Sequence, residues 1–245
     1  TYIVFYTLSF ATLCYPLSGT PFAYLHAYIF SLLAIFNLLI AIKEKNKFLW
    51  FLLPYTCFFA FLSMQTPTAY ILIILVILIV FDFIKDKKFE NFKFFIFGSV
   101  SSILLFVFFL FITQTSIINF IYQYILFPLT IGEGRITSKE IAYISLIDQI
   151  NFKRLIGEFK FIHIFFIPLI YLTLKNIKKN NRDLNILNLT IIFSVFAFFF
   201  NQLITANQIY IFSLIPILAA VLHINLDNLK INPKLFYVII LVSLF

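Results

Sequence analysis

The chain has 245 residues, of which 62% are hydrophobic, 20% aromatic and only 11% charged. Its mean hydropathy of +1.04 excludes a soluble globular domain, so we expect an all-α polytopic membrane protein. In such a protein the formal net charge of +8 is expected to orient loops in the membrane, and we expect no nucleic-acid partner.

The chain begins at Thr1 within an apolar run, and we expect it to be a single transmembrane domain, residues 1–245, of a longer protein. The sequence shows no basic segment followed by a small-residue cleavage site, so we assign no signal peptide. Cys14 and Cys57 are far apart in apolar runs and have no Cys or His at ligand spacing. We therefore expect no disulfide, no metal site and no cofactor.

The residues from Phe48 to Ile84 carry a single charge, that of Asp82 near the end of the run. As one helix they would reach about 55 Å, well beyond a hydrocarbon core of about 30 Å. The sequence therefore predicts a hairpin of two spans that turns at residues 65–68. Thr66 is expected to cap the second helix, with Pro67 at its first position, where no backbone N–H is needed.

The same construction recurs in residues 1–42, broken at 18–21, and in residues 184–226, broken at 205–207. The fold prediction is thus eight to nine transmembrane helices with short outer hairpins. The spans are expected near 1–17, 21–42, 48–64, 69–84, 92–112, 161–174, 186–204 and 208–224, with a ninth beginning near 235.

Four loops between the spans hold most of the Lys and Arg residues: 43–47, 85–93, 175–183 and 226–234. The positive-inside rule predicts that these loops are cytoplasmic. The uncharged hairpin tips and the long segment 113–160 then share the extracytoplasmic face. We expect a multi-pass protein of a bacterial plasma membrane.

Segment 113–160 is predicted to contain interfacial helices on either side of a charged loop, residues 132–140. In residues 113–131 the apolar and polar side chains fall on different faces of a helix, as in a helix that lies along the membrane surface. The apolar set is Ile117, Phe120, Ile121, Tyr124, Ile125 and Phe127, and the polar set is Gln114, Asn119 and Gln123. Residues 141–160 resemble a second such helix.

Basic side chains in this segment supply the charge and donors that a phosphate group needs; they are Arg135, Lys139, Lys153 and Arg154. Contact with membrane phospholipid is the simpler alternative. Glu133 and Asp148 are the acids available there for proton transfer.

Polar side chains also gather at the outer ends of the short spans, namely Gln65, Thr66, Thr68, Asn201, Gln202, Thr205, Asn207 and Gln208. Two interpretations remain open, a water-filled cavity and a set of internally capped hairpins. His26 lies near the same face and is either a ligand-binding residue or a partner in interhelical hydrogen bonding.

Four stretches together resemble bacterial integral-membrane glycosyltransferases of the GT-C superfamily, the relatives of protein mannosyltransferases and aminoarabinose transferases. They are GTPFAYLHAYIFSLLAIFNLLIAI (19–42), FLSMQTPTAYILIIL (61–75), FPLTIGEGR (127–135) and NQLITANQIYIFSLIPILAA (201–220). The chain departs from the family pattern at Met64, where relatives often carry Lys, and at Tyr24, Leu25 and His26, where they often carry an acidic or His-rich group.

The resemblance implies transfer of a sugar from a polyprenyl-phosphate carrier to a lipid or glycan acceptor at the extracytoplasmic face. It also implies a catalytic Asp in the first outer loop; no acidic loop precedes Tyr15, so that residue is expected before Thr1. Arg135, then Lys139, would stabilise the departing lipid phosphate.

Gln65 and His26 would orient sugar or phosphate, and Asn207 and Gln208 complete the expected binding residues. Two other functions use the same features. A flippase or transporter of a lipid-linked glycan would also need apolar spans and a cationic cavity, although functional polar segments of transporters usually lie near the midplane. A non-catalytic membrane scaffold is the other alternative function.

Overall fold

The computed structural model describes residues 2–14, 23–86, 89–130, 146–177, 181–205 and 211–229. Within these ranges the regular secondary structure is entirely helical, as predicted. In chain order the helices are α1 (Tyr2–Cys14), α2 (Ala23–Glu44), α3 (Lys47–Ser63), α4 (Gln65–Asp86), α5 (Phe89–Ile112), α6 (Ile117–Thr130), α7 (Leu146–Gln149), α8 (Phe152–Glu158), α9 (Lys160–Ile177), α10 (Arg182–Thr205) and α11 (Leu214–Asn228).

Each of the eight predicted spans that falls in the described ranges corresponds to a helix, but not every helix is long enough to cross a membrane. By length and composition α2, α4, α5 and α10 qualify. A fifth span exists if α8 and α9, which meet at 99°, are counted together. The other apolar helices are shorter, so eight to nine spans are not confirmed; the ninth lies outside the described residues. The chain is an all-helical membrane protein.

The predicted hairpin at residues 65–68 is confirmed in its local geometry. Helix α3 ends at Ser63, and Thr66 has the extended backbone of an N-cap residue (φ −113°, ψ 134°). The regular part of α4 therefore begins at Pro67, which follows Thr66 through a cis peptide bond. The corresponding Thr20 and Pro21 lie outside the described residues.

The core lies where α2 packs against α3, α4 and α10. Its largest buried side chains include Tyr28, Ile35, Trp50, Leu75 and Phe198. Helix α5 packs mainly on α3 and exposes most of its remaining surface, as expected for a helix in contact with lipid.

The basic loops lie at one end of the bundle, where polar contacts join the helix ends. We call this end the basic end. Lys47 Nζ lies 2.8 Å from Glu90 Oε1, and Arg182 Nη2 lies 2.9 Å from Asp82 Oδ1. A buried asparagine trio joins α9, α10 and α11 nearby: Asn225 Oδ1 accepts hydrogen bonds from Asn176 Nδ2 (3.1 Å) and Asn188 Nδ2 (2.8 Å). The starts of α3, α5 and α10 and the ends of α4, α9 and α11 therefore lie together.

The predicted amphipathic helix of residues 113–131 is present as α6, which includes a π-helical stretch from Ile121 to Leu126. Two of its aromatic side chains contact the bundle. Phe120 packs on Phe106 of α5, and Tyr124 packs on Phe61 of α3. The other predicted apolar side chains are exposed on the protein: Ile117, Ile121, Ile125 and Phe127.

Candidate functional site

Buried polar side chains of α2 and α10 meet at the end of the bundle opposite the basic end. The Tyr24 hydroxyl accepts hydrogen bonds from Asn201 Nδ2, at 3.2 Å, and from Gln202 Nε2. All three side chains are buried. We call them the phenol–amide cluster.

Gln202 is the member of this cluster with spare hydrogen-bonding capacity. Its Oε1 atom is buried and has no hydrogen-bond partner among the described residues. A buried acceptor without a donor is costly. Gln202 Oε1 is therefore an acceptor of the cluster that the described residues leave unused.

Two further polar pairs extend the cluster into the bundle. Ser213 Oγ, just before α11, donates to the Tyr28 hydroxyl at 2.9 Å, one helical turn below Tyr24. Ser31 Oγ lies 3.4 Å from Thr68 Oγ1, which donates to the Ala60 carbonyl. These bonds fix the mutual positions of α2, α3, α4 and α11 at this end.

Helix α6 is tied to the same end by Gln65 and Tyr124. Gln65 Nε2 donates to the Tyr124 carbonyl at 2.5 Å, and the Tyr124 hydroxyl donates to the Phe61 carbonyl. Burial raises the pKa of Tyr124 to about 12, so the hydroxyl keeps its proton and remains a donor at neutral pH. Gln65 thus anchors α6 to the turn between α3 and α4.

The bend between α8 and α9 forms the other side of this end. Arg154 Nε lies 2.6 Å from Glu158 Oε1, and Arg154 Nη1 donates to the Leu203 carbonyl of α10 at 3.3 Å. The bend falls at Phe159, which is buried and stacks on Phe199 of α10 with ring centroids 4.5 Å apart. Arg154 is therefore held in place by protein partners, unlike a cation kept for a ligand.

An apolar groove of about 520 Å³ lies inside this bend, and we call it the elbow groove. Its walls come from α8, α9 and α10, and its polar lining residues are Lys160 and His163. His163 Nε2 lies 2.8 Å from the Leu155 carbonyl and must donate to it. Its Nδ1 is then the acceptor, and it has no partner in the described part of the chain.

The structure brings together only some of the residues predicted from the sequence. Gln65 lies at the expected end but contacts α6, not the phenol–amide cluster. His26 is exposed on α2, two positions from each of the buried Tyr24 and Tyr28. Two residues correspond to about 200° of helix rotation, so His26 faces away from the cluster. Asp148 is exposed near the start of α7.

The remaining predicted site residues lie outside the described residues: Arg135, Lys139, Asn207 and Gln208, together with Glu133.

Sequence reasoning missed Lys160 and His163, and it treated Tyr24 only as a departure from a family pattern. Gly157 disfavours a helix at this point, but a single glycine does not define a sharp bend, so the pattern placed no groove there. Tyr24 had a usable signal. It lies one helical turn before Tyr28 on an otherwise apolar face, and a buried phenol needs a partner.

Comparisons with family models, with curated proteins and with solved structures find no match to this chain.

Proposed function

We propose that the chain is the membrane part of a glycosyltransferase of the GT-C kind, which transfers a sugar from a polyprenyl-phosphate carrier at the extracytoplasmic face. The observation that carries the proposal is the phenol–amide cluster with its unpaired Gln202 acceptor. It lies at the end opposite the basic loops, which the positive-inside rule assigns to the cytoplasm.

The phenol–amide cluster suits the sugar of such a donor, and the elbow groove suits its lipid chain. Amide and phenol groups bind sugar hydroxyls through hydrogen bonds, and Gln202 Oε1 has no partner within the described ranges. The elbow groove is lined by apolar side chains and is large enough for part of an isoprenoid chain. Helix α10 connects them, since Phe196 lines the groove and Gln202 belongs to the cluster.

Cations near the groove are suited to the phosphate between the chain and the sugar. Lys160 lines the groove. Arg135 and Lys139, which follow α6 in the sequence and lie outside the described residues, are the further cations proposed for this role. In the proposed reaction the acceptor hydroxyl attacks the anomeric carbon, its proton passes to the carboxylate base that the family resemblance implies, and the bond to the lipid phosphate breaks as that phosphate leaves. Cations stabilise the charge that develops on that phosphate.

The test measures transfer of labelled sugar from a panel of polyprenyl-phosphate sugars in membranes that express the native gene. Arg135→Ala is expected to lower transfer strongly at unchanged expression, whereas Lys93→Ala, a basic residue of the opposite end, retains it. Equal transfer by wild type and Arg135→Ala would remove Arg135 from the proposal. The absence of transfer from every donor would contradict the proposed function.

The bend between α8 and α9 favours a second function, a flippase for a lipid-linked glycan. Discontinuous helices often line the binding sites of transporters, and α8 and α9 meet at 99°. Binding of a lipid-linked glycan without transfer, together with its movement across reconstituted vesicles, would support the flippase over the enzyme.

A further inference from the structure

A second groove runs from the basic end along α2 toward the middle of the bundle. It consists of two cavities of about 500 Å³ and 340 Å³. Both are lined by Phe36 of α2, Leu187 of α10 and Ile224 of α11. Because they share these walls, the two cavities adjoin each other, and together we call them the basic-end groove.

The basic-end groove is long enough for the acyl chain of one leaflet of a bilayer. Lys43 lines the cavity at its mouth, and Ile29 lines the inner cavity. The rise of an α-helix places these positions about 21 Å apart along α2. Half of a hydrocarbon core is about 15 Å thick. An acyl chain that enters at the mouth can therefore follow the groove to the middle of the membrane.

Charged side chains of both signs line the mouth of the basic-end groove, which is its opening at the basic end of the bundle. Lys43 and Asp183 line it together with the amides of Asn181 and Asn228. Lys43 also lies 3.8 Å from Glu44 Oε1, but both side chains are well exposed, and such surface pairs contribute little. The ammonium group of Lys43 is therefore available to a phosphate, and the Asp183 carboxylate attracts a cation.

We propose that the basic-end groove binds one zwitterionic aminophospholipid, of the phosphatidylethanolamine class, from the leaflet at the basic end. One acyl chain lies along Phe36, Leu187 and Ile224, the phosphate faces Lys43, and the lipid ammonium faces Asp183. Phosphatidylglycerol matches the groove but carries no cation for Asp183. This site is separate from the phenol–amide cluster and does not depend on sugar transfer.

The experiment uses the protein reconstituted in vesicles of equal phosphatidylethanolamine and phosphatidylglycerol. After extraction into lipid-free detergent, retained lipid is counted by mass spectrometry. We expect phosphatidylethanolamine to be retained in preference by about fivefold, the ratio typical of a favourable charge contact. Asp183→Lys is expected to reverse the preference, since it replaces the carboxylate by a second cation.

Two variants fill the groove independently, Ile224→Trp and Ile40→Trp, both at exposed positions that line it. Each is expected to reduce retained lipid. Ile103→Trp, on the exposed face of α5, is the control and keeps the wild-type amount. A single symmetric peak in size-exclusion chromatography identifies folded variants, and either tryptophan suffices if the other fails to fold.

Three results would overturn the proposal. They are equal retention of the two phospholipids by wild type, wild-type retention in the folded tryptophan variants, and retention of a polyprenyl phosphate or a protein in place of the phospholipid.

Discussion

At the residue scale, the phenol of Tyr24 organises the candidate site. One hydroxyl oxygen accepts from two buried amides that adjoin each other in sequence on α10. Neighbouring residues on a helix point about 100° apart, so Asn201 and Gln202 can reach one acceptor only if that acceptor lies between them. A tyrosine at position 24 meets this requirement because its ring spans the gap between α2 and α10.

Tyr24→Phe is expected to destabilise the protein, because it removes that shared acceptor from two buried amide groups. A buried donor left without a partner costs about 1–3 kcal/mol. Thermal unfolding in detergent should show a lower Tm than wild type. Tyr122→Phe, at an exposed tyrosine of α6, serves as the control. An unchanged Tm for Tyr24→Phe would show that the hydrogen bonds contribute nothing to stability.

At the element scale, the close crossing of α3 and α5 depends on one glycine. A Cβ atom built on Gly98 would lie 2.1 Å from the backbone oxygen of Phe51, a distance that requires the helices to separate. Small residues permit such close approach between helices in membranes. Tyr55 and Ser101 add a hydrogen bond between the same two helices.

Gly98→Ala is therefore expected to lower the free energy of unfolding by about 1–3 kcal/mol, as overpacking usually does. The matched control is Gly157→Ala on α8, where a Cβ atom meets nothing within 4 Å. Alanine should stabilise α8 slightly, since it favours the helix more than glycine does. Denaturant or thermal unfolding of both variants tests the comparison, and equal effects would contradict the close crossing.

The bend between α8 and α9 depends on tertiary contacts as well as on local sequence. Arg154 binds Glu158 within α8 and the Leu203 carbonyl of α10, and Phe159 stacks on Phe199. Glu158→Gln removes the ion pair of a partly buried arginine and should reduce stability by about 1 kcal/mol. Lys47→Gln, which breaks an exposed pair with Glu90, should have a smaller effect on Tm. A larger effect of Lys47→Gln than of Glu158→Gln on Tm would show that the bend does not need Glu158.

At the scale of the whole molecule, the two ends of the bundle differ in chemistry. One end has the basic loops and their ion pairs, and the other has neutral hydrogen-bonded clusters beside the Arg154–Glu158 pair. In a chain without its native cysteines, Asn119→Cys should react with an impermeant maleimide in intact cells. Glu44→Cys should react only after permeabilisation. Labelling of both from the same side would contradict the predicted orientation.

The sequence was sufficient for the features that depend on local rules. A nearly uncharged run too long for one span, interrupted by Thr66 and Pro67, predicted the turn between α3 and α4. Features that depend on contacts between distant segments were not predictable. The bend at Phe159 requires Phe199, and the phenol–amide cluster requires α2 to lie against α10. The polar character of Asn201 and Gln202 could be anticipated, and so could the need of Tyr24 for a partner, but not their contact.

Gln202 provides the most direct test of the central claim, that the phenol–amide cluster binds the sugar of a lipid-linked donor. The measurement is transfer of labelled sugar in membranes that express the native gene, for wild type, Gln202→Ala and Asn37→Ala. Asn37 is the control because its buried amide, like Gln202 Oε1, has no partner among the described residues. We predict that Gln202→Ala lowers transfer about tenfold at equal protein level and that Asn37→Ala does not. Equal transfer by all three proteins, or none by wild type, would contradict the account.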